Sequence, residues 1–188
     1  MKILFFVLTF SIFFFYCACG KSESKNKKAN EEAKMSELKI SSSSFANEET
    51  IPNKYTCEGE DISPQIGWEE LPEGVKSLAL ICDDPDAPGG DFVHWVIFNI
   101  SPEIDSLPED LLPADTLDFG AIQGMTDFRR VGYGGPCPPR GVVHHYHFKL
   151  YGLDKMLEAE KNITKSALLK KMEGHVVARG EIVGLFKR

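Results

Sequence analysis

Two stiff turns rich in proline and glycine, each set against an apolar run of strand length, constrain this chain more than any other feature. The first is Asp84-Pro85-Asp86-Ala87-Pro88, with His94-Trp95 soon after it. The second is Gly132-Tyr133-Gly134-Gly135-Pro136-Cys137-Pro138-Pro139, which leads into His144-His145-Tyr146. Proline locks φ and lacks an N–H, so neither stretch can continue a helix or a central strand. Each turn therefore presents polar groups at the mouth of a strand, where chemistry tends to sit on loops held by a rigid scaffold. Together they outline one cleft lined by Asp, His and Tyr.

The runs around these turns read as strands. Residues 77–82 and Phe92–Ile100 are apolar almost throughout, as strands covered on both faces are. Leu38-Lys39-Ile40-Ser41 alternates apolar and polar, the pattern of a half-buried strand. Further strands are expected over Val143–Leu153 and residues 179–186, with turn-rich connections over 51–55 and 57–61. Residues 165–173 read as a helix: Thr164 is an N-cap, Ala167, Leu168 and Met172 share a face, and Gly174 ends it. The fold expected is mainly β, an antiparallel β-sandwich with one or two peripheral helices, formed by residues 37–188.

Strand alternation sorts the histidines. His144, Tyr146, Phe148 and Leu150 fall on one face, which ends apolar and therefore faces the core. His145, His147 and Lys149 fall on the other, solvated face. A metal site built from all these histidines would need both faces, and Lys149 disfavours one at His145 and His147.

The N-terminal stretch belongs to a different class. Met1-Lys2 is a minimal basic start, residues 3–15 are an almost unbroken apolar run, and Tyr16-Cys17-Ala18-Cys19-Gly20 ends it. A run this short before small residues reads as an export signal rather than a membrane span. The expectation is a bacterial lipoprotein signal over residues 1–18, with Cys19 as the lipidated N-terminus. Tyr16 stands where that pattern favours Leu. Residues 19–36 are mostly Lys, Glu, Ser, Asn and Ala without an apolar face, so they are expected to tether the domain to a membrane of the cell envelope. Without residues 1–18, 20 basic residues stand against 28 acidic ones, a balance of −8. That argues against nucleic acid as a partner and against broad attraction to anionic lipid.

Beyond Cys19 the cysteines are Cys57, Cys82 and Cys137, an odd number. Export permits disulfides. Cys82 lies in an apolar strand and reads as a buried free thiol. Cys57 and Cys137 lie in turn-rich segments and are able to meet, but spacing alone does not fix connectivity.

The pair of motifs, Asp84-Pro85-Asp86-Ala87-Pro88 with His94-Trp95 and Tyr133-Gly134-Gly135-Pro136-Cys137-Pro138-Pro139 with His144-x-Tyr146, resembles the phosphatidylethanolamine-binding protein family. The bacterial Raf-kinase-inhibitor-like branch is the nearest likeness. Tyr55-Thr56-Cys57-Glu58-Gly59, Ser63-Pro64, Trp68 and Gly174-His175-Val176-Val177-Ala178 extend it over residues 37–188. The resemblance implies a small anion pocket lined by Asp84, Asp86, Pro88, His94, Gly135, Pro136, His144 and Tyr146, and an Ala87–Pro88 bond in cis. Two departures stand out: His145 replaces a common Arg, and Thr126-Asp127-Phe128-Arg129 replaces an Asn-Asp-aromatic-Gly run. The chain ends soon after its last strand, without the helix that partly covers the pocket in animal members. The pocket is therefore expected to be open, or shielded by a second subunit in a homodimer.

The chemistry of these residues suits an anion. An imidazole held by a carboxylate keeps its proton more readily, so His94 beside Asp84 would offer an N–H. Gly134-Gly135-Pro136 would add backbone donors, and Tyr146 a hydroxyl. Without the resemblance, Asp84 and Asp86 read as ordinary turn residues and His94 as a core histidine. Three functions follow. The first is a non-enzymatic, membrane-tethered module binding a small anionic or phospho-head-group ligand, or inhibiting a partner kinase or protease. The second is a hydrolase built on Asp84, Asp86, Asp91 and His94, although no Gly-x-Ser-x-Gly or His-Glu-x-x-His motif is present. The third is a structural surface lipoprotein with a vestigial pocket. None of the three calls for a resident cofactor or metal.

Overall fold

A computed structural model describes residues 35–188. The expected signal, the lipidation site at Cys19 and most of the tether lie outside the described residues. Among the described residues, ten strands form two sheets. The larger joins β1 (Ser36–Glu37), β3 (Glu49–Thr50), β5 (Ser77–Asp84), β6 (Phe92–Ile100), β8 (Ile122–Gln123), β9 (Val143–Leu153) and β10 (Val176–Lys187). Its order is β1-β10-β9-β5-β6-β8, with β3 also on β10. The smaller sheet is β2 (Lys39–Ser41), β4 (Ile66–Glu69) and β7 (Ser106–Leu107), in the order β2-β4-β7. The long strands pair antiparallel, as expected; β1 and β3 run parallel to β10, so the larger sheet is mixed.

Burial on both faces explains the continuous apolar runs. From the central sheet, Leu78, Leu80, Trp95, Ile97, Tyr146, Phe148, Leu150 and Ile182 pack with Leu38, Ile66, Trp68 and Leu107 from the smaller-sheet side. The intervening residues Ala79, Ile81, Val96 and Phe98 pack with Leu168 and Met172 of helix α1 (Lys165–Met172). The layers are therefore small sheet, large sheet and helix. At the helix start the Thr164 hydroxyl accepts from the Ala167 N–H. It stops before Gly174, whose φ of +77° is a conformation that side chains resist.

The helix side also holds a buried charge. Asp83, fully buried, accepts from Lys149 Nζ and Lys165 Nζ, each at 2.6 Å, and Lys165 also reaches Asp91. Two ammonium groups thus compensate a carboxylate that could not sit alone in an apolar layer.

Candidate functional site

A cavity of about 480 Å³ opens where β5, β6 and β9 meet the two proline-rich turns. Its polar lining comes from Asp84, His94, His144, Tyr146 and Arg188. Ala87, Pro88, Phe92, Phe128, Pro138 and Pro139 supply most of its apolar wall. Five of the eight residues expected there are present: Asp84, Pro88, His94, His144 and Tyr146. Asp86, Gly135 and Pro136, expected there, do not line it: Asp86 is exposed, and Gly135 and Pro136 are buried.

Each carboxylate of the first turn is taken by a histidine of β9. Asp84 Oδ2 accepts from His144 Nδ1 at 2.7 Å, and its Oδ1 accepts the Asp86 N–H at 2.9 Å, closing the turn. On the outer face Asp86 Oδ2 accepts both the His145 N–H at 2.9 Å and His145 Nδ1 at 2.6 Å. Those bonds hold the Asp86 carboxyl below its ordinary value. Alternation along β9 thus places its two first histidines as the sequence pattern required, His144 buried and His145 exposed. Together they clamp the turn from inside and outside.

His94 is held differently from the sequence expectation. Its Nδ1 donates to the Gly134 carbonyl at 2.6 Å, and its own carbonyl accepts the Gly134 N–H at 3.0 Å. Asp84 serves His144 instead, because the β5–β9 register brings the end of β5 against the start of β9. The proposed hydrolytic grouping of Asp84, Asp86, Asp91 and His94 does not assemble: the first two carboxylates engage separate histidines, and Asp91 pairs with Lys165. The His94 ring packs among Phe92, Phe128 and Tyr146, with centroids 5.1 to 5.3 Å away. This burial pushes its pKa down, partly offset by the Gly134 carbonyl and the Asp84 charge. A carbonyl only accepts, so Nδ1 carries the proton and a neutral ring presents the Nε2 lone pair.

Two glycines of the second turn allow close packing within the protein itself. A Cβ on Gly135 would lie 2.3 Å from the Tyr55 carbonyl oxygen, and one on Gly134 2.4 Å from the Phe128 ring. The Gly135 N–H donates to Asp61 at 2.6 Å. Neither backbone donor of Gly134 and Gly135 is free for an anion, contrary to expectation. The Ala87–Pro88 bond is also not cis: among the described residues every peptide bond is trans. Before this turn, Asp127 exchanges two hydrogen bonds with the Val93 backbone. Arg129, where the resemblance expected Gly, adopts φ +61°.

Two features escaped the sequence reading or were left open by it. Cys57 and Cys137 form a disulfide that joins the two turn-rich segments, with Cα atoms 5.5 Å apart, and Cys137 lines the cavity. Cys82 is buried and free, as expected. Arg188 also reaches the cavity, its Nη1 donating to Cys137 Sγ at 3.1 Å. No local signal marked it: the pairing of Lys187 with Val143 carries the end of β10 to the mouth of β9.

The decisive chemistry is in what lacks a partner. Among the described residues, two buried side-chain polar atoms have none: Tyr146 Oη and Arg188 Nε. Both residues line this cavity. Burial, the charge of nearby Asp84 and the approach of its carboxylate to the hydroxyl, short of a well-formed hydrogen bond, push the Tyr146 phenol far above its ordinary value, so it stays an O–H donor.

The model of one family, described as phosphatidylethanolamine-binding protein, matches residues 41–187. The chain belongs to the phosphatidylethanolamine-binding protein family. It is 52% identical over 160 residues to UPF0098 protein PH1269 of Pyrococcus horikoshii, covering 84% of this chain and 79% of that one. The UPF0098 protein of Aquifex aeolicus is 48% identical over 153 residues, covering 80% and 89%. Among solved structures, CT736 of Chlamydia trachomatis superposes with a TM-score of 0.74 at 36% identity, covering 80% of this chain and 97% of that one. YbcL of E. coli, described as a new member of the mammalian PEBP family, gives 0.75 at 32%, covering 80% and 98%. Archaeal relatives stand beside bacterial ones, so the family likeness reaches beyond bacteria. Within this phosphatidylethanolamine-binding protein family fold, the two sequence motifs are the two turns that wall the cavity.

Proposed function

We propose that this phosphatidylethanolamine-binding protein family member is a binding module whose cavity takes one small monoanion, a phosphate or carboxylate group. The observation that carries the reading is the pairing of Tyr146 Oη and Arg188 Nε. Both are donors, both are buried and unpartnered, and both line one cavity. Native proteins rarely leave buried donors unpaired without a functional reason. Charge favours a monoanion over a dianion: Asp84 offsets Arg188, and burial keeps the free His94 ring neutral until an anion arrives. His94 Nε2 becomes a donor on taking a proton, so binding draws one from solvent. The apolar wall of Pro88, Phe92, Phe128 and Pro138 suits the less polar remainder of such a ligand.

Titration of inorganic phosphate and of acetate into the protein, followed by calorimetry, tests this. Saturable binding that Arg188→Ala weakens supports it; no heat or chemical-shift change with either anion refutes it. We further propose that Cys19 is lipidated and holds the domain at an envelope membrane, on the strength of the 3–19 sequence pattern. One acyl chain holds only marginally, so firm retention needs a second. Unchanged membrane partition and mobility in Cys19→Ala would defeat that proposal.

A further inference from the structure

The disulfide and the cavity share a residue. Cys57 and Cys137 are both exposed, so a thiol from solution can reach the bridge. Arg188 Nη1 lies 3.1 Å from Cys137 Sγ and 4.0 Å from Cys57 Sγ. The guanidinium that supplies the cavity's positive charge therefore also faces the sulfur that would carry charge on reduction. We propose that the Cys57–Cys137 bridge is a reducible site that sets the anion affinity of the cavity through Arg188. The inference rests on the anion reading given above.

The exchange balances with a dithiol reductant, small-molecule or protein. One of its thiolates attacks Cys57 Sγ, the Cys57–Cys137 bond breaks, and its electron pair leaves on Cys137 as a thiolate. The reductant's second thiolate then attacks its own sulfur in the mixed disulfide, releasing Cys57 as a thiolate. Two electrons pass to the protein, and the reductant ends as its disulfide. Attack is directed to Cys57 because the leaving thiolate is the one nearer Arg188, and a better stabilised thiolate leaves faster. In the reduced protein the Cys137 thiolate pairs with the guanidinium, which then competes with any anion in the cavity. Reduction also removes the covalent tie between the Cys137-Pro138-Pro139 wall and the Tyr55–Gly59 turn, leaving the Cys57 N–H to Pro136 carbonyl bond between them. Both effects lower anion affinity.

Two measurements test the inference on the same protein. In the first, wild type and Arg188→Gln are equilibrated with dithiothreitol redox couples and the thiols counted by alkylation and mass. Losing Arg188 should make reduction about tenfold less favourable, about 30 mV for a two-electron couple. In the second, inorganic phosphate is titrated into the oxidised and reduced wild type. The reduced form should bind about tenfold more weakly, the scale of one charge-assisted contact. Cys57→Ser should bind at the weaker level with or without reductant; should it not fold, reduced wild type alone carries the comparison. Equal phosphate affinity in the two forms overturns the coupling, as does an unchanged midpoint in Arg188→Gln. Loss of native near-ultraviolet circular dichroism on reduction marks a purely structural crosslink and also overturns it. Failure of the oxidised protein to bind any phosphate, with the Arg188→Gln midpoint shifted, overturns the anion reading itself.

Discussion

Replacing Tyr146 by Phe separates a donor reserved for a ligand from one used by the fold. The Tyr146 side chain is fully buried and its ring packs edge-on to His94 at 5.1 Å, contacts that Phe keeps. The hydroxyl has no well-formed hydrogen bond to any protein group among the described residues. Leaving a buried polar group unpaired costs roughly 1–3 kcal/mol. Removing it should therefore stabilise the empty protein, by about 1 kcal/mol once the small void left behind is discounted. For a chain of this size that raises the melting temperature by about 2–4 °C. Anion affinity should move the other way, since a hydrogen bond to a charged group is worth about 1.5–3 kcal/mol, a loss of roughly ten- to hundredfold. Urea denaturation in a buffer free of phosphate, sulfate and carboxylate reads the first effect, and calorimetry with inorganic phosphate the second. A Tyr146→Phe protein that is destabilised by 1 kcal/mol or more, with phosphate affinity unchanged, refutes the reasoning: the hydroxyl would then be serving the fold.

Anion affinity should rise as pH falls from 8 towards 6, by at most about tenfold per unit for one proton taken up. The sign follows from burial, which holds His94 below its ordinary value and so leaves the free ring neutral until an anion favours its protonation. Calorimetry in buffers of different ionisation enthalpy counts that proton. The same shift makes the empty protein lose stability as pH falls through about 6.5, because the unfolded chain then binds a proton that the folded one refuses. Asp84→Asn breaks the carboxylate bond to His144 Nδ1, so a double-mutant cycle on phosphate affinity with His144→Ala should be strongly non-additive, and one with His94→Ala, whose Nδ1 is held by Gly134, less so. The reverse pattern would mean that the histidine assignments are exchanged. On the helix side, Lys149→Ala with Lys165→Ala strands the buried Asp83 and should cost about 3–5 kcal/mol by denaturation, with phosphate affinity little changed.

Local signals made much of the architecture legible. Phe92–Ile100 and Val143–Leu153 begin and end where their patterns do, because apolar continuity and alternation are properties of neighbouring residues. The helix was bounded by its Thr164 cap and by Gly174 for the same reason. Alternation alone also turned His144 and Tyr146 inward and His145 outward, which identified two of the five polar lining residues.

Partner choice was not legible. Asp84 and His94 lie ten residues apart and looked like a pair, yet Asp84 meets His144, 60 residues away, and His94 meets the Gly134 carbonyl. Gly134 and Gly135 looked poised to receive a ligand, but the Tyr55–Thr56 backbone and Phe128 occupy that space. The Cys57–Cys137 bridge spans 80 residues, and Arg188 enters the cavity only because β10 pairs along the whole length of β9. The residue pattern determined this protein's strands, its inward and outward faces and the two turns, since those depend on local geometry and burial. Which donor meets which acceptor depends on strand order and register, set by packing of the whole core, so only the tertiary structure decided which groups are already paired and which remain free for a ligand.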